Sequence, residues 1–367
     1  MVAAIFLRYC RDVFGHFIVE MRQSYMCSFL DLPSIVSGSQ IGVIDPHEKY
    51  FSDENGKRTG HRWRLKEDRD IVNSIPDQFQ PYKGILDCTE DTFEQGSYNG
   101  TLFRFPLRTE PSKLSETLYT TQKVHTLFES FEADAHLILL FLQYLESIEL
   151  FVREEKDSDA RKTFQVRITN NTLKLVREKR SEFRSKISSG ELLPEAAWVT
   201  YPITIEAITY SKGTQSASER HSFLVTNYFC GGEISSEFKT LASDQDLSYL
   251  PLVGIAMELP ERPEQETPDM KGHVFCFLPL PVQKTSLTGL PVHINGFFAL
   301  SQNRRYIKTP TAEQEDLAEK EGQPLTDKSL LWNQCLLQEA IPKAYASLLL
   351  DAMDEQNYNV QSEAVYK

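Results

Sequence analysis

The stretch from residue 100 to residue 153 constrains the fold of this 367-residue chain more than any other part. Apolar side chains alternate along residues 101–108, which predicts a short strand. Residues 121–145 carry apolar side chains at helical spacing, and residues 148–152 form a second apolar run typical of a strand. Strand, helix and strand in so short a stretch predict one packed α/β unit that must be buried against other parts of the chain.

Length and charge limit the classes of function. The length is typical of two domains, and the net charge of −13 disfavours non-specific binding to nucleic acids or anionic membranes. The apolar run at 137–142 is too short to cross a bilayer, which takes about 20 residues. A basic patch at residues 177–180, Arg-Glu-Lys-Arg, has an acid among its bases, so we expect a solvated helix face there.

The cysteines are dispersed, without a Cys-x-x-Cys pair and without clustered histidines. This pattern disfavours a zinc site and is typical of reduced thiols, so we expect no metal and a cytoplasmic location. The six positions are Cys10, Cys27, Cys88, Cys230, Cys276 and Cys335.

The remaining pattern predicts an α+β chain in four parts. We expect an N-terminal helical segment over 1–30, a first α/β domain over 31–170, a second over 171–310, and an acidic linker with a C-terminal helical segment over 311–367. A hairpin is expected in the first domain, with its turn at residues 37–39. Residues 172–190 are predicted to form an exposed helix or a mobile linker. The second domain is expected to contain a hairpin of strands 203–210 and 221–228 over a polar tip, and Pro342 is expected to kink or split the last helix.

No motif for catalysis appears in the sequence. There is no phosphate-binding GxxxxGK[ST], no GxGxxG and no GxSxG nucleophile elbow. Two places remain open to interpretation. Gly100-Thr101 could bring a backbone and a hydroxyl close to a ligand, or could be a turn glycine followed by a β-branched strand residue. The run Asn303-Arg304-Arg305 could bind phosphate or carboxylate, or could be a solvated strand end.

Several long stretches resemble the repeated regions of the sacsin family. They include DLPSIVSGSQIGVIDPHEKYF at 31–51, GTLFRFPLR at 100–108 and HINGFFALSQNRR at 293–305. The other stretches lie at 77–85, 123–154 and 330–349. Sacsin repeats begin with a domain similar to the nucleotide-binding domain of the ninety-kilodalton heat-shock chaperones. The resemblance therefore implies an incomplete Bergerat-type (GHKL) α/β sandwich, followed by a second mixed α/β domain and a C-terminal helix.

The resemblance also implies that most of the nucleotide site is missing. The family's Glu- and Asn-bearing helix, its Asp-x-Gly-x-Gly segment and its Gly-rich lid precede the DLPSIVSG stretch, and residues 1–30 do not match them. Gly100 and Thr101 correspond to a vestigial adenine side, and Arg304 to a vestigial phosphate side. We therefore expect no cofactor in this chain, although complete relatives bind ATP and Mg²⁺.

The function implied by the resemblance is chaperone-related work in protein folding and quality control. We expect a non-catalytic module that contacts proteins, either heat-shock chaperones of the seventy-kilodalton system or unfolded clients, with no nucleic acid and no membrane. The alternatives are an ATP-binding GHKL-type fragment and a plain interaction fragment that competes with a longer relative for partners.

Overall fold

The computed structural model describes residues 4–9, 32–53, 56–74, 82, 84, 88–153, 160–187, 194–232, 234–259, 271–281, 287–311 and 327–353. The chain divides into two compact units. The smaller unit comprises Met1–Arg8, Asp12–Glu132 and Leu150–Lys162, and the larger comprises Tyr9–Arg11, Ala133–Glu149 and Thr163–Lys367. The domain boundaries expected from the sequence stay a prediction.

A four-stranded antiparallel sheet in the order β6-β3-β2-β7 forms the centre of the smaller unit. Its strands are β2 (Ser34–Gly38), β3 (Gln40–Ile44), β6 (Gly60–Arg64) and β7 (Tyr98–Arg104), and the pair β4 (Ser52–Asp53) and β5 (Gly56–Lys57) stands apart. Helices α1 (Arg69–Ser74) and α2 (Glu90–Gln95) complete it. Alternate residues enter one core, as a period of two requires. This core contains Val36, Ile41, Val43, Trp63, Leu65, Val72, Tyr82, Cys88 and Leu102.

The hairpin expected near residues 37–39 is confirmed. Strands β2 and β3 pair from Ser34↔Val43 to Ser37↔Gln40, and Gly38 at the turn has a φ of 53°. The strand expected at 101–108 instead covers Tyr98–Arg104. It ends early because Pro106 has no N–H to donate to a neighbouring strand.

A nine-stranded sheet in the order β1-β8-β9-β10-β11-β12-β15-β13-β14 runs through the larger unit, and β1 and β8 straddle the division between the units. Neighbouring strands in the series β9, β10, β11, β12 and β15 pair antiparallel, whereas β13 and β15 run parallel. The strands are β1 (Ala4–Tyr9), β8 (Ser147–Arg153), β9 (Arg161–Ile168), β10 (Ala197–Ser211), β11 (Thr214–Phe229), β12 (Leu252–Leu259), β13 (Val274–Cys276), β14 (Leu278–Pro279) and β15 (His293–Gly296).

The β10–β11 hairpin is longer than the sequence predicts. The polar residues expected to form its tip continue both strands as far as a two-residue turn, Lys212-Gly213, whose φ angles are 52° and 80°. Positive φ at both central residues is typical of a type I′ turn, which matches the twist of the strands. The prediction of a long tip was wrong because an exposed strand has no apolar residues to mark it.

Helices cover both faces of this sheet. Helix α4 (Asn170–Lys186) packs against β10, and α7 (Ile341–Met353) packs against β11 and β12. Successive β11 residues point to opposite faces: Asn227 bonds to Tyr201, whereas Tyr228 joins the core beneath the C-terminal helices. The class is therefore α+β, as expected.

Helix α3 (Thr121–Ile138) is shorter than the expected 121–145. Its apolar pattern continues because residues 139–142 are buried, but they form a turn, and no glycine or proline marks the change. The turn is stabilised by Arg180 of α4, which is 2% exposed. Its guanidinium donates to the carbonyl oxygens of Leu139 at 2.8 Å, Leu145 at 3.3 Å and Leu140 at 3.4 Å.

The solvated helix face expected at residues 177–180 is wrong for Arg180, which is buried, whereas Arg177 and Glu178 are exposed as expected. Arg177 binds Glu146 through two hydrogen bonds of 2.8 and 2.6 Å, three residues before the buried Arg180. Residues three apart share one face of a helix, so the two arginines face the turn together. A charge pattern alone does not reveal that carbonyl groups elsewhere in the chain need donors.

The C-terminal helix runs from Lys328 to Met353 through α6 (Lys328–Cys335), a π-helical turn (Leu336–Ala340) and α7. We expected Pro342 to kink or split it. Instead, a π turn ends at Ala340, two residues before Pro342. Its wider backbone accommodates a residue that has no N–H and whose ring would clash with the preceding turn of an α-helix. The short helix α5 (Ser236–Ala242) packs beside α6, with Phe238 edge-on to Trp332.

The N-terminal segment differs from the expected helix where it is described. Ala4–Tyr9 is strand β1, and the rest of residues 1–31 lies outside the described residues. A six-residue apolar run is too short for its period to separate a strand from a helix. Among the described residues, no helix is long and apolar enough to cross a membrane.

Replacing Arg180 by Met should destabilise the larger unit by about 3 kcal/mol, because buried carbonyl oxygens lose their donors. Chemical denaturation followed by circular dichroism measures the change. Lys174→Met is the matched control on the same helix, since the Lys174 side chain is 89% exposed, and its denaturation midpoint should not move. Equal midpoints for the two variants would contradict this role of Arg180.

Replacing Gly254 by Ala should destabilise the chain by about 1–3 kcal/mol through overpacking. A Cβ at Gly254 would lie 2.9 Å from the ring of Phe141, which is 1% exposed and has no room to move. The double variant Gly254→Ala/Phe141→Leu should lose less than the sum of the two single variants. Additive losses in thermal denaturation would argue against a steric conflict.

Candidate functional site

Gly100 and Thr101 lie on β7 at a bulge. Ser37 pairs with Thr101 and Gly38 pairs with Tyr98, so Asn99 and Gly100 are extra residues on β7. Gly100 has a φ of 146°, in the region that favours glycine, and the bulge accounts for that conformation. The Thr101 hydroxyl is 2.7 Å from that of Ser37, so it is engaged across the sheet.

The C-terminal end of β7 and the residues after it carry exposed apolar side chains. Leu102 points into the core, whereas Phe103 and Phe105 are 39% and 44% exposed and stack with their centroids 5.8 Å apart. Leu107 is 37% exposed. We call Phe103, Phe105 and Leu107 the apolar strip. In the described order of the smaller sheet, β7 is an edge strand, so this strip lies where another chain could reach it.

A polar group lies at the inner side of the same strand. Ser34 pairs with Arg104 and its hydroxyl is 2.7 Å from the Tyr82 hydroxyl. Burial raises the pKa of Tyr82, and the bond to Ser34 opposes that rise. The buried Nη1 atom of Arg104 makes no hydrogen bond to any residue that the structure describes. These hydroxyls are thus fixed as neutral donors and acceptors near a guanidinium.

Arg304 lies in the larger unit, at a tight turn after β15. Its own φ is 55°, it is exposed, and its N–H donates to the Ser301 carbonyl at 2.7 Å. The turn is closed by the Ser301 N–H on the Tyr306 carbonyl, and Asn303 accepts from the Arg305 N–H. A non-glycine residue at positive φ is costly, so the surrounding hydrogen bonds are needed to keep Arg304 there.

Buried groups of α6 fix the strand ends beside this turn. The Asn333 side chain, 3% exposed, accepts from the Ala299 N–H and donates to the carbonyls of Ala299 and Lys308, each bond being 2.8–2.9 Å. The Trp332 indole donates to the Phe297 carbonyl at 2.8 Å. The Arg304 turn is therefore attached to a rigid base.

A cavity of about 420 Å³ opens beside the turn. Lys308 at its wall bonds to Asp327 at 2.6 Å, which lowers the pKa of Asp327. Asp327 also accepts from the Ser329 N–H and so caps α6. The lining is Tyr249, Ala299, Leu300, Ser301, Gln302, Tyr306, Lys308, Thr309 and Ser329. Its one cation is already matched by a carboxylate.

The Arg304 guanidinium also influences Cys276. Burial raises the pKa of the Cys276 thiol, and its bond to the Phe298 carbonyl and the nearby Arg304 oppose the rise. Because Gly100 and Thr101 belong to the smaller unit and Arg304 to the larger, each site is described by itself. Their expected roles toward a nucleotide stay predictions.

The sequence did not indicate a cluster of histidines in the larger unit. His136, near the end of α3, stacks on His221 of β11 with centroids 3.9 Å apart. No local pattern could indicate a pair separated by 85 positions, from 136 to 221. The part of the chain that the structure describes contains no group of three His, Cys, Asp or Glu residues suited to a metal ion.

Comparison with known proteins identifies one family that this chain resembles. Residues 25–165 match the sacsin domain, and this range includes β2, β3, β6 and β7 with Gly100 and Thr101. Sacsin of Homo sapiens is 40% identical over 337 residues, which are 88% of this chain and 7% of sacsin. The chain therefore spans a small part of the length of that relative, and its similarity extends beyond the matched domain to the region of Arg304. The chain is a sacsin-like protein.

Proposed function

We propose that this chain is a non-catalytic, chaperone-related module that acts in protein folding and quality control by contacting other proteins. The observation that carries the proposal is the apolar strip, where Phe103 and Phe105 are stacked and exposed on a sheet edge. Exposed aromatic groups at an edge favour binding of another polypeptide, through side-chain contacts and strand pairing together.

The fold that we propose for the smaller unit is an incomplete Bergerat-type (GHKL) sandwich. A sheet with its core on one side and a Gly-Thr pair on its edge strand supports this assignment. The polar groups that would hold a nucleotide are absent from the sequence before residue 31, and the bond between Thr101 and Ser37 supports a structural role for the surviving Thr.

The partners that we propose are unfolded clients or heat-shock chaperones, met in the cytoplasm. The four described cysteines, Cys88, Cys230, Cys276 and Cys335, are free thiols, and three of them are buried. Free thiols are typical of a reducing compartment. The net charge of −13 supports protein partners over nucleic acid.

The apolar strip should suppress aggregation of an unfolding client. In a light-scattering assay with a thermally unfolding model enzyme, the wild-type chain should reduce aggregation, and Phe103→Ser/Phe105→Ser should lose most of this effect. Leu350→Ser is the matched control, because Leu350 is 70% exposed on α7, far along the chain from the strip.

Circular dichroism should show that both variants fold, since all three residues are exposed. The proposal fails if the wild-type chain leaves aggregation unchanged, or if the double variant protects the client as well as the wild type does.

Mg-ATP should give no binding heat in isothermal titration, and hydrolysis should equal that of buffer. The physical reason is that the Asp, Asn and lid residues expected for a nucleotide are not in the sequence, whatever Gly100 and Arg304 contribute. Saturable heat that is lost in Thr101→Val would favour the alternative, an ATP-binding GHKL-type fragment.

A further inference from the structure

We propose that His136 is the titrating residue of an acid-sensitive latch, formed where it packs with three other histidines of the larger unit: while neutral it keeps the last turn of α3 packed on the sheet, and when protonated it releases that turn. We call His136, His221, His273 and His293 the histidine stack. They come from α3, β11, the segment before β13, and β15. The inference concerns regulation and does not depend on the proposed function.

The first contact of the stack is between α3 and β11. The rings of His136 and His221 lie nearly parallel, 14° apart, with centroids at 3.9 Å, and Phe223 continues the row beyond them. A neutral His136 ring is attracted to the His221 ring at this distance through dispersion and stacking. Two imidazolium rings would repel each other with little water between them to screen the charge.

The surroundings of the pair are asymmetric. His221 has Glu258 3.3 Å from Nδ1 and Glu219 3.4 Å from Nε2, so both of its ring nitrogens face a carboxylate. His136 has no such pair. Burial, with smaller contributions from the His221 and His273 rings, lowers its pKa to about 4, and Glu258 opposes this change. On α3 itself, Glu132 lies one turn earlier.

The second contact of the stack lies deeper. His293 is 3% exposed, and its Nδ1 accepts a hydrogen bond of 3.1 Å from the backbone N–H of His273. Accepting this bond requires an unprotonated Nδ1. The ring packs against Phe223 and Phe275, with centroids at 6.0 and 5.6 Å. Burial, with smaller contributions from His273 and His136, lowers the pKa of His293 to about 3. A proton on Nδ1 would place one N–H donor opposite another, the backbone N–H of His273.

The pH window follows from these values. The pKa of His136 falls from 6.5 to about 4 in the packed state, so an opened α3 end binds more protons than the packed one. The packed state is therefore fully favoured above pH 6.5, loses stability as the pH falls from 6.5 to 4, and loses no more from this residue below 4. His293 lies on β15, outside the segment that opens. What opens is the α3 end with Leu139, Leu140 and Phe141, which are all nearly inaccessible to solvent.

Hydrogen exchange of the amides at residues 137–141, corrected for intrinsic rates, tests the latch on the full chain. Between pH 7 and pH 5 the opening constant of the wild type should rise roughly 20-fold. His136→Phe preserves a flat ring on His221 but cannot take a proton, so its opening constant should change little over the same range. If the Phe variant does not fold, His136→Gln is a second variant without a titratable ring, and its opening constant should also change little.

The matched control is His125→Phe, which removes a histidine from the same helix outside the stack and should keep the wild-type pH dependence. A titration of the His136 ring by NMR should show it neutral down to nearly pH 4. The latch is overturned by a wild-type opening constant that stays level from pH 7 to pH 5. It is equally overturned if both variants at His136 open with acid as steeply as the wild type.

Discussion

The larger unit depends on one buried guanidinium. After α3 ends at Ile138, the chain must turn inside the core, where water cannot satisfy its carbonyl groups. Arg180 supplies the donors and also reaches the Tyr201 hydroxyl on β10. Helix, turn and sheet are thereby joined by one side chain. An Arg is suited to this position because its five N–H groups spread in a plane and serve several acceptors at once.

The position of the histidine stack follows from that constraint. Because Arg180 and Arg177 fix the turn that begins at Leu139 and ends near Glu146, the last turn of α3 has to lie on the sheet, and His136 meets His221 there. The same face contains Asn227, which donates to Tyr201 at 3.0 Å. Charged and polar groups thus organise this side of the sheet, whereas the side under α6 and α7 is almost wholly apolar.

Patterns of short range were predictable, and contacts of long range were not. Gly38 marked the β2–β3 turn because few residues adopt its φ of 53°. The apolar period predicted α3 and the C-terminal helix but not their details, since the end of α3 depends on Arg180, 42 positions beyond Ile138, and the period does not mark the π turn before Pro342. Residue types drew attention to the Gly100 and Arg304 sites, and family resemblance supplied their expected roles toward a nucleotide. Asn333, which fixes the strand ends beside Arg304, carried no local signal.

The apolar strip illustrates how one strand can satisfy two demands. Its inward residue, Leu102, packs in the core of the smaller unit, so the outward residues are not needed to fill that core. Phe103 and Phe105 could then be polar without cost to the core, and water would favour such a change. The proposed contact with another polypeptide would use these two stacked aromatic rings at the edge.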